Sequence, residues 1–372
     1  MNVALLGFGV VGRGVYDLTL DRSDINIKYV VCLEDVELPG VTVTRDYQQI
    51  LADESIDTVV EAMGGLHPAW DFVKAAIEHG KNVVTSNKAM ACTFYDELLP
   101  LVQEKGVLFR CTAAVGGGIG WLSELGRVRR CETVLNVGGI MNGTCNYILD
   151  NMTRLGLDYD VALKQAQELG YAEANPSTDV DGIDTWHKVI LSSNVAFGVS
   201  LDKQSVPVAG IRNIKACDVA EFSKRGYTCK LISTGKRTDS GFSAYVQPTL
   251  CRAEDLEAHI PMNFNLITFE GAAAGRQSLY GQGAGRYPTA YNVVQDLCDL
   301  LSGNGFYSPC EGSVAARNDG KLCFYVRGGN DTWLESVTSD HWGEGIVTEP
   351  VAVDEIHAWL KDHPDCFMAA IR

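Results

Sequence analysis

The segment 170–188 gathers four carboxylates and one lysine around a proline and a glycine. Pro176 and Gly182 break any helix there, so the first three acidic residues are expected on or beside an irregular loop. The three acidic residues are Glu173, Asp179 and Asp181. A cluster of ionisable groups of this kind is typical of a site that binds a small charged molecule.

A helix is expected to begin near Asp181 or Gly182, because Trp186 and later apolar residues follow at helical spacing. In that helix Asp184 and Lys188 form an i,i+4 pair on one face. A carboxylate so placed can orient the ammonium group of the lysine and balance its charge. The alternative is a capped helix with a surface ion pair worth only about 0.3–0.5 kcal/mol.

The amino-terminal residues place a glycine-rich turn between a strand and a helix. Residues 2–6 are an apolar strand, the turn follows directly, and residues 15–20 have a helical pattern. In a dinucleotide-binding fold the three glycines permit a tight turn, a close approach to a pyrophosphate and close helix–strand packing. This order predicts a dinucleotide site, with a purely structural turn as the alternative. The turn consists of Gly7, Phe8, Gly9, Val10, Val11 and Gly12.

An acidic pair follows the second predicted strand, which covers residues 27–33. Glu34 and Asp35 stand about 20 residues beyond the glycines, where an acidic group accepts hydrogen bonds from ribose hydroxyls. Glu34 would repel a 2′-phosphate, so NAD is the expected cofactor. Arg13 and Arg45 leave NADP open as the alternative.

Two further strands are expected over residues 57–63 and 82–85, with a helix over residues 70–79 between them. Ligands of open parallel sheets bind at the carboxyl ends of the strands. The residues expected near a nicotinamide are therefore Gly64, Gly65, Ser86 and Lys88. For Lys88 the alternative is a surface lysine at the start of a helix. A glycine turn at Gly285 opens another helix, which either covers the nicotinamide or makes a tight interdomain turn.

Two long motifs resemble those of the homoserine dehydrogenases. Residues 170–188 are similar to the family's substrate loop, Gly-Tyr-x-Glu-x-x-Pro-x-x-Asp-x-x-Gly-x-Asp-x-x-x-Lys. Residues 142–149, Asn-Gly-Thr-Cys-Asn-Tyr-Ile-Leu, are similar to another family motif. Shorter matches at residues 85–89, 115–119 and 281–290 extend the resemblance over roughly residues 1–300.

The resemblance implies reversible hydride transfer between L-aspartate 4-semialdehyde and L-homoserine, in threonine and methionine biosynthesis. It makes Lys188 the proton donor, oriented by Asp184, and Lys88 the second lysine able to share that role. Glu173 is expected to bind the substrate ammonium. Tyr171, Gly143, Thr144 and Asp179 are expected to complete the substrate site. A related oxidoreductase acting on another small amino aldehyde or hydroxy acid, and a catalytically silent NAD-binding protein, are the alternatives.

The chain departs from the family pattern between residues 110 and 121. Thr112 stands where family members carry a glutamate near a bound sodium ion, and threonine is a poorer ligand for a hard cation. A sodium site is therefore doubtful, although main-chain carbonyls could still supply it. Those carbonyls belong to Val115, Gly117 and Ile119. Gly120 and Trp121 replace a proline-containing continuation, which raises the expectation of a shifted substrate.

The predicted fold class is α/β. A Rossmann-type domain is expected over residues 1–125, completed by residues 283–305. An α+β substrate-binding and dimerisation domain, beginning with a strand over residues 127–137, is expected over residues 126–282. Residues 306–372 resemble a degenerate or truncated ACT-like module. The resemblance further implies a homodimer.

Composition and net charge disfavour some classes of binding partner. The 372 residues carry a net charge of −16, which disfavours nucleic acid and anionic membrane surfaces. No apolar run reaches the roughly 18–20 residues of a membrane span, so a cytoplasmic protein is predicted. The twelve cysteines and seven histidines are dispersed, which predicts reduced thiols and no transition metal.

Overall fold

A computed structural model describes residues 1–305, 312–329 and 331–372. Its strands, in chain order, are β1 (Asn2–Leu6), β2 (Asn26–Val31), β3 (Thr42–Thr44), β4 (Thr58–Glu61), β5 (Asn82–Thr85), β6 (Phe109–Arg110), β7 (Val134–Ile140), β8 (Ser200–Leu201), β9 (Tyr227–Thr238), β10 (Gly241–Arg252), β11 (Phe264–Gly271), β12 (Gly275–Gln282), β13 (Ser313–Val314), β14 (Lys321–Arg327), β15 (Thr338–Trp342), β16 (Gly345–Thr348), β17 (Val351–Ala352) and β18 (Phe367–Ile371). Its α-helices are α1 (Val10–Thr19), α2 (Gln48–Ala52), α3 (Ala69–Glu78), α4 (Lys88–Thr93), α5 (Tyr95–Lys105), α6 (Trp121–Val128), α7 (Gly143–Leu155), α8 (Tyr159–Glu168), α9 (Ser177–Val180), α10 (Ile183–Phe197), α11 (Ala216–Lys224), α12 (Arg286–Leu301), α13 (Thr332–Ser336) and α14 (Val353–Asp362).

The first of two compact units contains residues 1–132, 194–200 and the described part of 281–313. Its six-stranded sheet is parallel, in the order β3-β2-β1-β4-β5-β6. Strands β1 and β4 are almost wholly buried, as expected for a parallel sheet covered on both faces. The order reverses between β1 and β4, which is where ligands bind in such sheets. The predicted α/β class is confirmed.

The second unit contains residues 133–193, 201–280 and the described part of 314–372. Its ten-stranded sheet runs β12-β11-β7-β9-β10-β18-β14-β16-β15, with β17 paired to β14. The antiparallel hairpin of β9 and β10 pairs twelve residues on each strand and forms the centre of this sheet.

The carboxyl-terminal strands belong to that sheet. The order β18-β14-β16-β15, with α13 and α14 in the connections, is that of a split βαβ fold. Strand β18 also pairs in parallel with β10. The predicted start of the carboxyl-terminal segment, residues 306–311, lies outside the described residues.

The strand predicted over residues 127–137 is wrong at its beginning. Helix α6 continues to Val128, and β7 begins only at Val134. Leu122, Leu125 and Val128 are buried at intervals of three residues, so their spacing favours one apolar face of a helix.

Among the described residues, no helix combines the length and apolar character needed to cross a membrane. The described cysteines form no disulfides with one another.

Candidate active site

The turn after β1 contains three glycines. The fold requires glycine at Gly7 and Gly12 but not at Gly9. Gly7 has a φ of +92°, and a Cβ there would lie 2.7 Å from the Ala62 carbonyl oxygen. A Cβ on Gly12 would lie 2.1 Å from the Gly7 carbonyl oxygen. A Cβ on Gly9 would meet nothing within 4 Å. Open space at Gly9 fits a group that approaches the backbone closely.

The amino terminus of α1 fits an anion. Gly9 is its N-cap and supplies no side-chain cap, and the first turn contains no acidic residue. The first N–H groups of a helix lack intrahelical partners and carry partial positive charge. Val10 is exposed, Val11 is partly buried and Phe8 is buried. These features suit a pyrophosphate at this turn.

The acidic tip beyond β2 is engaged in two ion pairs. Arg13 Nη2 lies 2.5 Å from Glu34 Oε2, and Arg45 Nη2 lies 2.9 Å from Asp35 Oδ1. Strand β2 ends at Val31, two residues earlier than the predicted end at residue 33. Each of the two carboxylates at this tip is therefore paired with a nearby arginine.

A buried carboxylate that the sequence analysis did not single out organises the ends of β4 and β5. Glu61 is fully buried, and its Oε1 accepts from the N–H groups of Met63 at 2.8 Å and Gly64 at 3.2 Å. Its Oε2 accepts from Thr85 Oγ1 at 2.5 Å. The sequence signal that could have identified Glu61 is an acidic residue at the end of an apolar strand.

Asn87 continues this network toward Lys88. Its Nδ2 donates to the Gly65 carbonyl oxygen at 2.7 Å, and its Oδ1 accepts from Met90 N–H at 3.1 Å. The second bond caps α4, which begins at Lys88. The N–H of Ser86 bonds the Glu61 carbonyl oxygen at 3.2 Å. Gly64, Gly65, Ser86 and Lys88 are thus brought together at the carboxyl edge of the sheet.

Lys188 and Asp184 form a buried pair in α10. Lys188 Nζ lies 2.7 Å from Asp184 Oδ2 and donates to the Met141 carbonyl oxygen, also at 2.7 Å. Both side chains are only 9 % exposed. The predicted i,i+4 pair is confirmed, and it is not the surface ion pair of the alternative interpretation.

Asn142 joins this pair to the preceding loop. Its Nδ2 donates to Asp184 Oδ2 at 2.8 Å and to Asp179 Oδ1 at 2.7 Å. Asn142 stands in a quoted motif, but the sequence analysis gave it no role. Its available signal was its place at the start of that motif.

The loop that was predicted to be irregular contains the one-turn helix α9. Proline is tolerated where a helix begins, and Pro176 directly precedes this turn. Arg212 then holds the turn from outside, with bonds to both oxygens of Asp181 at 2.7 and 2.8 Å and to Ser177 Oγ at 2.9 Å. The chain turns at Gly182, whose φ is +83°.

The remaining substrate candidates fall into two groups. Thr144 Oγ1 donates to the Tyr171 carbonyl oxygen, and a Cβ on Gly143 would lie 2.5 Å from the Asn263 carbonyl oxygen. Glu173 is exposed, and among the described residues its carboxylate has no hydrogen bond or ion pair. The structure therefore packs Gly143, Thr144 and Tyr171 together but leaves Glu173 apart.

The neighbourhood of Thr112 is an internal polar network. Thr112 donates to Asp296 from its N–H at 2.8 Å and from Oγ1 at 2.6 Å. Arg110 Nε donates to the same carboxylate at 2.8 Å. Burial raises the pKa of Asp296, against the lowering effect of Arg110. A carboxylate therefore lies beside Thr112, but donors from the protein already surround it.

The main-chain carbonyls expected to hold sodium are partly engaged within the protein. The Gly117 carbonyl oxygen accepts from Asn292 Nδ2 at 2.5 Å, and that of Ile119 accepts from Trp121 N–H at 2.7 Å. Two of the three expected ligands thus already accept internal hydrogen bonds. Within the described part of the chain, no cluster of three or more His, Cys, Asp or Glu residues could hold a metal ion.

Gly285 is the N-cap of α12 and has a φ of +124°, a conformation that favours glycine. Gly283, earlier in the same turn, packs closely against Gly117. A Cβ on Gly117 would lie 2.5 Å from the Gly283 carbonyl carbon. Trp121 is fully buried in the core. Trp121, the second residue of the unusual Gly120-Trp121 pair, therefore serves the packing of α6.

Comparison with known proteins gives consistent matches. The family model for homoserine dehydrogenase matches residues 121–298, and the model for the homoserine dehydrogenase NAD-binding domain matches residues 7–111. The homoserine dehydrogenase of Bacillus subtilis (strain 168) is 34 % identical over 331 residues, which are 83 % of this chain and 76 % of that protein. That of Corynebacterium glutamicum is 36 % identical over 315 residues, 80 % of this chain and 71 % of that protein.

Solved structures agree. The crystal structure of a homoserine dehydrogenase from Thiobacillus denitrificans superposes with a TM-score of 0.87 at 28 % identity, and the match covers 100 % of this chain and 98 % of that chain. A structure of the S. aureus enzyme gives 0.78 at 26 % identity, with coverage of 100 % and 98 %. The chain belongs to the homoserine dehydrogenase family of nicotinamide-dependent oxidoreductases.

Proposed function

We propose that this chain interconverts L-homoserine and L-aspartate 4-semialdehyde, with NAD as its preferred cofactor and Lys188 as its proton-transfer group. The buried pair of Lys188 and Asp184 carries this proposal. A buried lysine beside one carboxylate can exchange a proton with a substrate hydroxyl, and the carboxylate orients the lysine and balances its charge. A binding protein has no need of such a pair.

The cofactor-binding residues are assigned to the first unit. Gly9 and the amino terminus of α1 would hold the pyrophosphate, and Gly64, Gly65, Ser86 and Gly285 would bound the nicotinamide half. When bound, the cofactor supplies the hydride acceptor for oxidation of the alcohol. The chain itself must hold the substrate, orient it and move one proton. Lys88 is the second candidate for the proton role.

The acidic tip supports a preference for NAD. Glu34 forms an ion pair with Arg13, and Asp35 forms one with Arg45, so both nearby arginines already have carboxylate partners. A 2′-phosphate would have to displace these carboxylates while facing their charge. Glu34→Arg should move the preference, measured as the ratio of kcat/KM values for the two cofactors, toward NADP.

Substrate binding is assigned to the second unit. Glu173 is exposed and its carboxylate is available for an ammonium group. Tyr171, Gly143 and Thr144 would shape the pocket, and Asp179 would support the loop. Glu173→Gln should raise KM for L-homoserine more than it lowers kcat, since it removes a charge that binds but does not react.

A homodimer is also proposed. Strand β12 is one edge of the ten-stranded sheet, and each of its residues is exposed or only partly buried. Its Tyr280 is 53 % exposed and stacks on Phe264 with ring centroids 5.1 Å apart. An exposed edge with an aromatic face suits a second copy of the chain. Light scattering after size exclusion should give twice the mass of one chain.

The deciding experiment mixes the purified protein with L-homoserine and either NAD or NADP and follows reduced cofactor by absorbance. Alkaline pH is chosen because oxidation releases a proton. Turnover with NAD at a higher kcat/KM than with NADP is the expected result. Absence of turnover with both cofactors, in protein that binds NADH, would overturn the proposal.

A further inference from the structure

We propose that Asn142 is a positioning residue for proton transfer, in addition to its local role as a helix cap. This role rests on the proposed function of Lys188. Asn142 lies within hydrogen-bond distance of two carboxylates of the site and is 4 % exposed. Nothing in the residue types alone distinguishes it from any other asparagine that begins a helix.

The orientation of the Asn142 amide is determined by its neighbours. Its Oδ1 accepts from Cys145 N–H at 2.8 Å and so caps α7. Its two amide hydrogens are left for Asp179 Oδ1 and Asp184 Oδ2. The flipped amide would place an oxygen against both carboxylates and an N–H₂ group against an N–H, so only one orientation is favourable.

These bonds connect three segments of the chain around one lysine. Asp184 Oδ2 accepts from both Asn142 Nδ2 and Lys188 Nζ. Lys188 Nζ also donates to the carbonyl oxygen of Met141, the residue directly before Asn142. The backbone of residues 141–142 and the Asn142 amide therefore hold both members of the pair.

The amide performs two tasks that a carboxylate cannot. It donates to the buried Asp184 and the partly buried Asp179 at once, so it satisfies two acceptors. It also adds no negative charge beside Lys188. A third carboxylate at this position would favour the protonated lysine and would repel Asp179 and Asp184. The neutral double donor therefore sets how readily the site takes up a substrate proton.

Two variants separate this role from capping. Asn142→Asp keeps the shape and the cap, because Asp and Asn are about equally good N-caps, but it exchanges the donor for a charge. Asn142→Ser keeps a cap oxygen and removes both amide hydrogens. We expect kcat for homoserine oxidation to fall by about tenfold or more in both variants. NADH affinity should stay within about twofold, because the cofactor residues belong to the first unit.

The pH profile provides the readout that a structural role would not move. In the oxidation direction the base must be unprotonated, so activity rises with pH along the acid limb. In Asn142→Asp this limb should move to higher pH by about 1 unit, because an added carboxylate favours the charged lysine. In Asn142→Ser it should move less. Asp331→Asn, the reverse exchange at the N-cap of α13, should leave the profile unchanged.

The outcomes are distinguishable. If the wild-type protein turns over but both variants keep its kcat and pH profile, Asn142 is only a cap and the inference is overturned. If the wild-type protein binds NADH without turning over, the proposed function fails and this role fails with it. If Asn142→Asp does not fold, Asn142→Ser carries the test alone, with its fold checked by circular dichroism.

Discussion

At the scale of single residues, the second unit buries two lysines with different kinds of partner. Lys188 pairs with the carboxylate of Asp184. Lys230 is fully buried and donates to Asn146 Oδ1 at 2.8 Å and the Ile260 carbonyl oxygen at 2.7 Å, both neutral acceptors. Burial lowers the pKa of Lys230 to about 8. Burial of a lysine is therefore not by itself a sign of catalysis. The identity of its partner distinguishes a catalytic candidate from a structural lysine.

The stability of the protein should rise with pH in the range where Lys230 titrates. The unfolded chain keeps this lysine protonated up to about pH 10.5, whereas the folded chain releases the proton near pH 8. Between those values the unfolded state binds more protons, so this group adds stability as pH rises. The gain is about 2 kcal/mol from pH 8 to pH 10.

Urea unfolding of Lys230→Met measures this effect. The variant should lack the rise in the free energy of unfolding that the wild-type protein shows between the two pH values. The exposed Lys361→Met should keep it. Parallel curves for the wild-type protein and Lys230→Met would contradict the assignment.

Lys188→Ala should lower kcat for homoserine oxidation by about 10²–10⁴, the usual contribution of a general acid or base. NADH binding should persist, which fluorescence titration can check. The exposed Lys164→Ala serves as the control and should behave as the wild-type protein does. If Lys188→Ala keeps kcat within a factor of two, Lys88 becomes the better candidate.

At the scale of elements, the glycine turn contains one glycine that the packing requires, Gly12, and one that a bound cofactor would require, Gly9. Gly9→Ala should fold normally, because its Cβ would meet nothing within 4 Å and its φ of −76° suits alanine. It should weaken NADH binding by about tenfold or more if the pyrophosphate approaches there. Gly12→Ala should instead lose at least about 2 kcal/mol of stability through the clash with the Gly7 carbonyl oxygen.

Calorimetry and thermal unfolding of both variants test this pair of expectations. Normal cofactor affinity in Gly9→Ala would argue that the pyrophosphate does not lie against this residue. Normal stability in Gly12→Ala would argue against the packing of α1 on β1.

The turn that contains Asp179 depends on Arg212, which bonds Asp181 and Ser177. Arg212 and Asp181 are about half exposed, so their ion pair should contribute no more than about 1 kcal/mol to stability. Arg212→Ala should nevertheless lower kcat/KM for L-homoserine several-fold, because the turn loses its outer support. Arg225→Ala, which removes an ion pair with Glu221 of α11, is the control. Unchanged kcat/KM would mean that α9 needs no such support.

At the scale of the whole molecule, a buried ion pair ties the carboxyl-terminal strands to the rest of the second unit. Asp218 in α11 is fully buried and accepts from Arg327 Nε and Tyr325 OH, each at 2.7 Å. Arg327 also donates to the Asn213 carbonyl oxygen at 2.5 Å. The two arms of the guanidinium therefore contact two segments that lie more than 100 positions away in the sequence.

Arg327→Met should destabilise the protein by about 3–5 kcal/mol, because it leaves the Asp218 charge buried without its cation. Asp218→Asn in the same chain should restore part of that loss. Denaturant unfolding of the two single variants and the double variant gives the coupling. Additive losses would contradict a direct pair.

Features that depend on neighbours along the chain could be predicted from the sequence. The order of strand, glycine turn and helix needs only local spacing, and so does the pairing of Asp184 with Lys188 four residues later. The homoserine dehydrogenase motifs are of the same kind. Each is visible because helix and strand periods convert sequence distance directly into spatial distance.

Features that depend on distant segments could be known only from the folded chain. It buried Lys188 against the Met141 carbonyl oxygen, 47 residues away, and supplied Asp296 to Thr112 from 184 residues away. It also placed β18 beside β10 in one sheet. The spacing of residues cannot give these contacts, because they form only when separate apolar faces pack and each buried polar group must then find a partner.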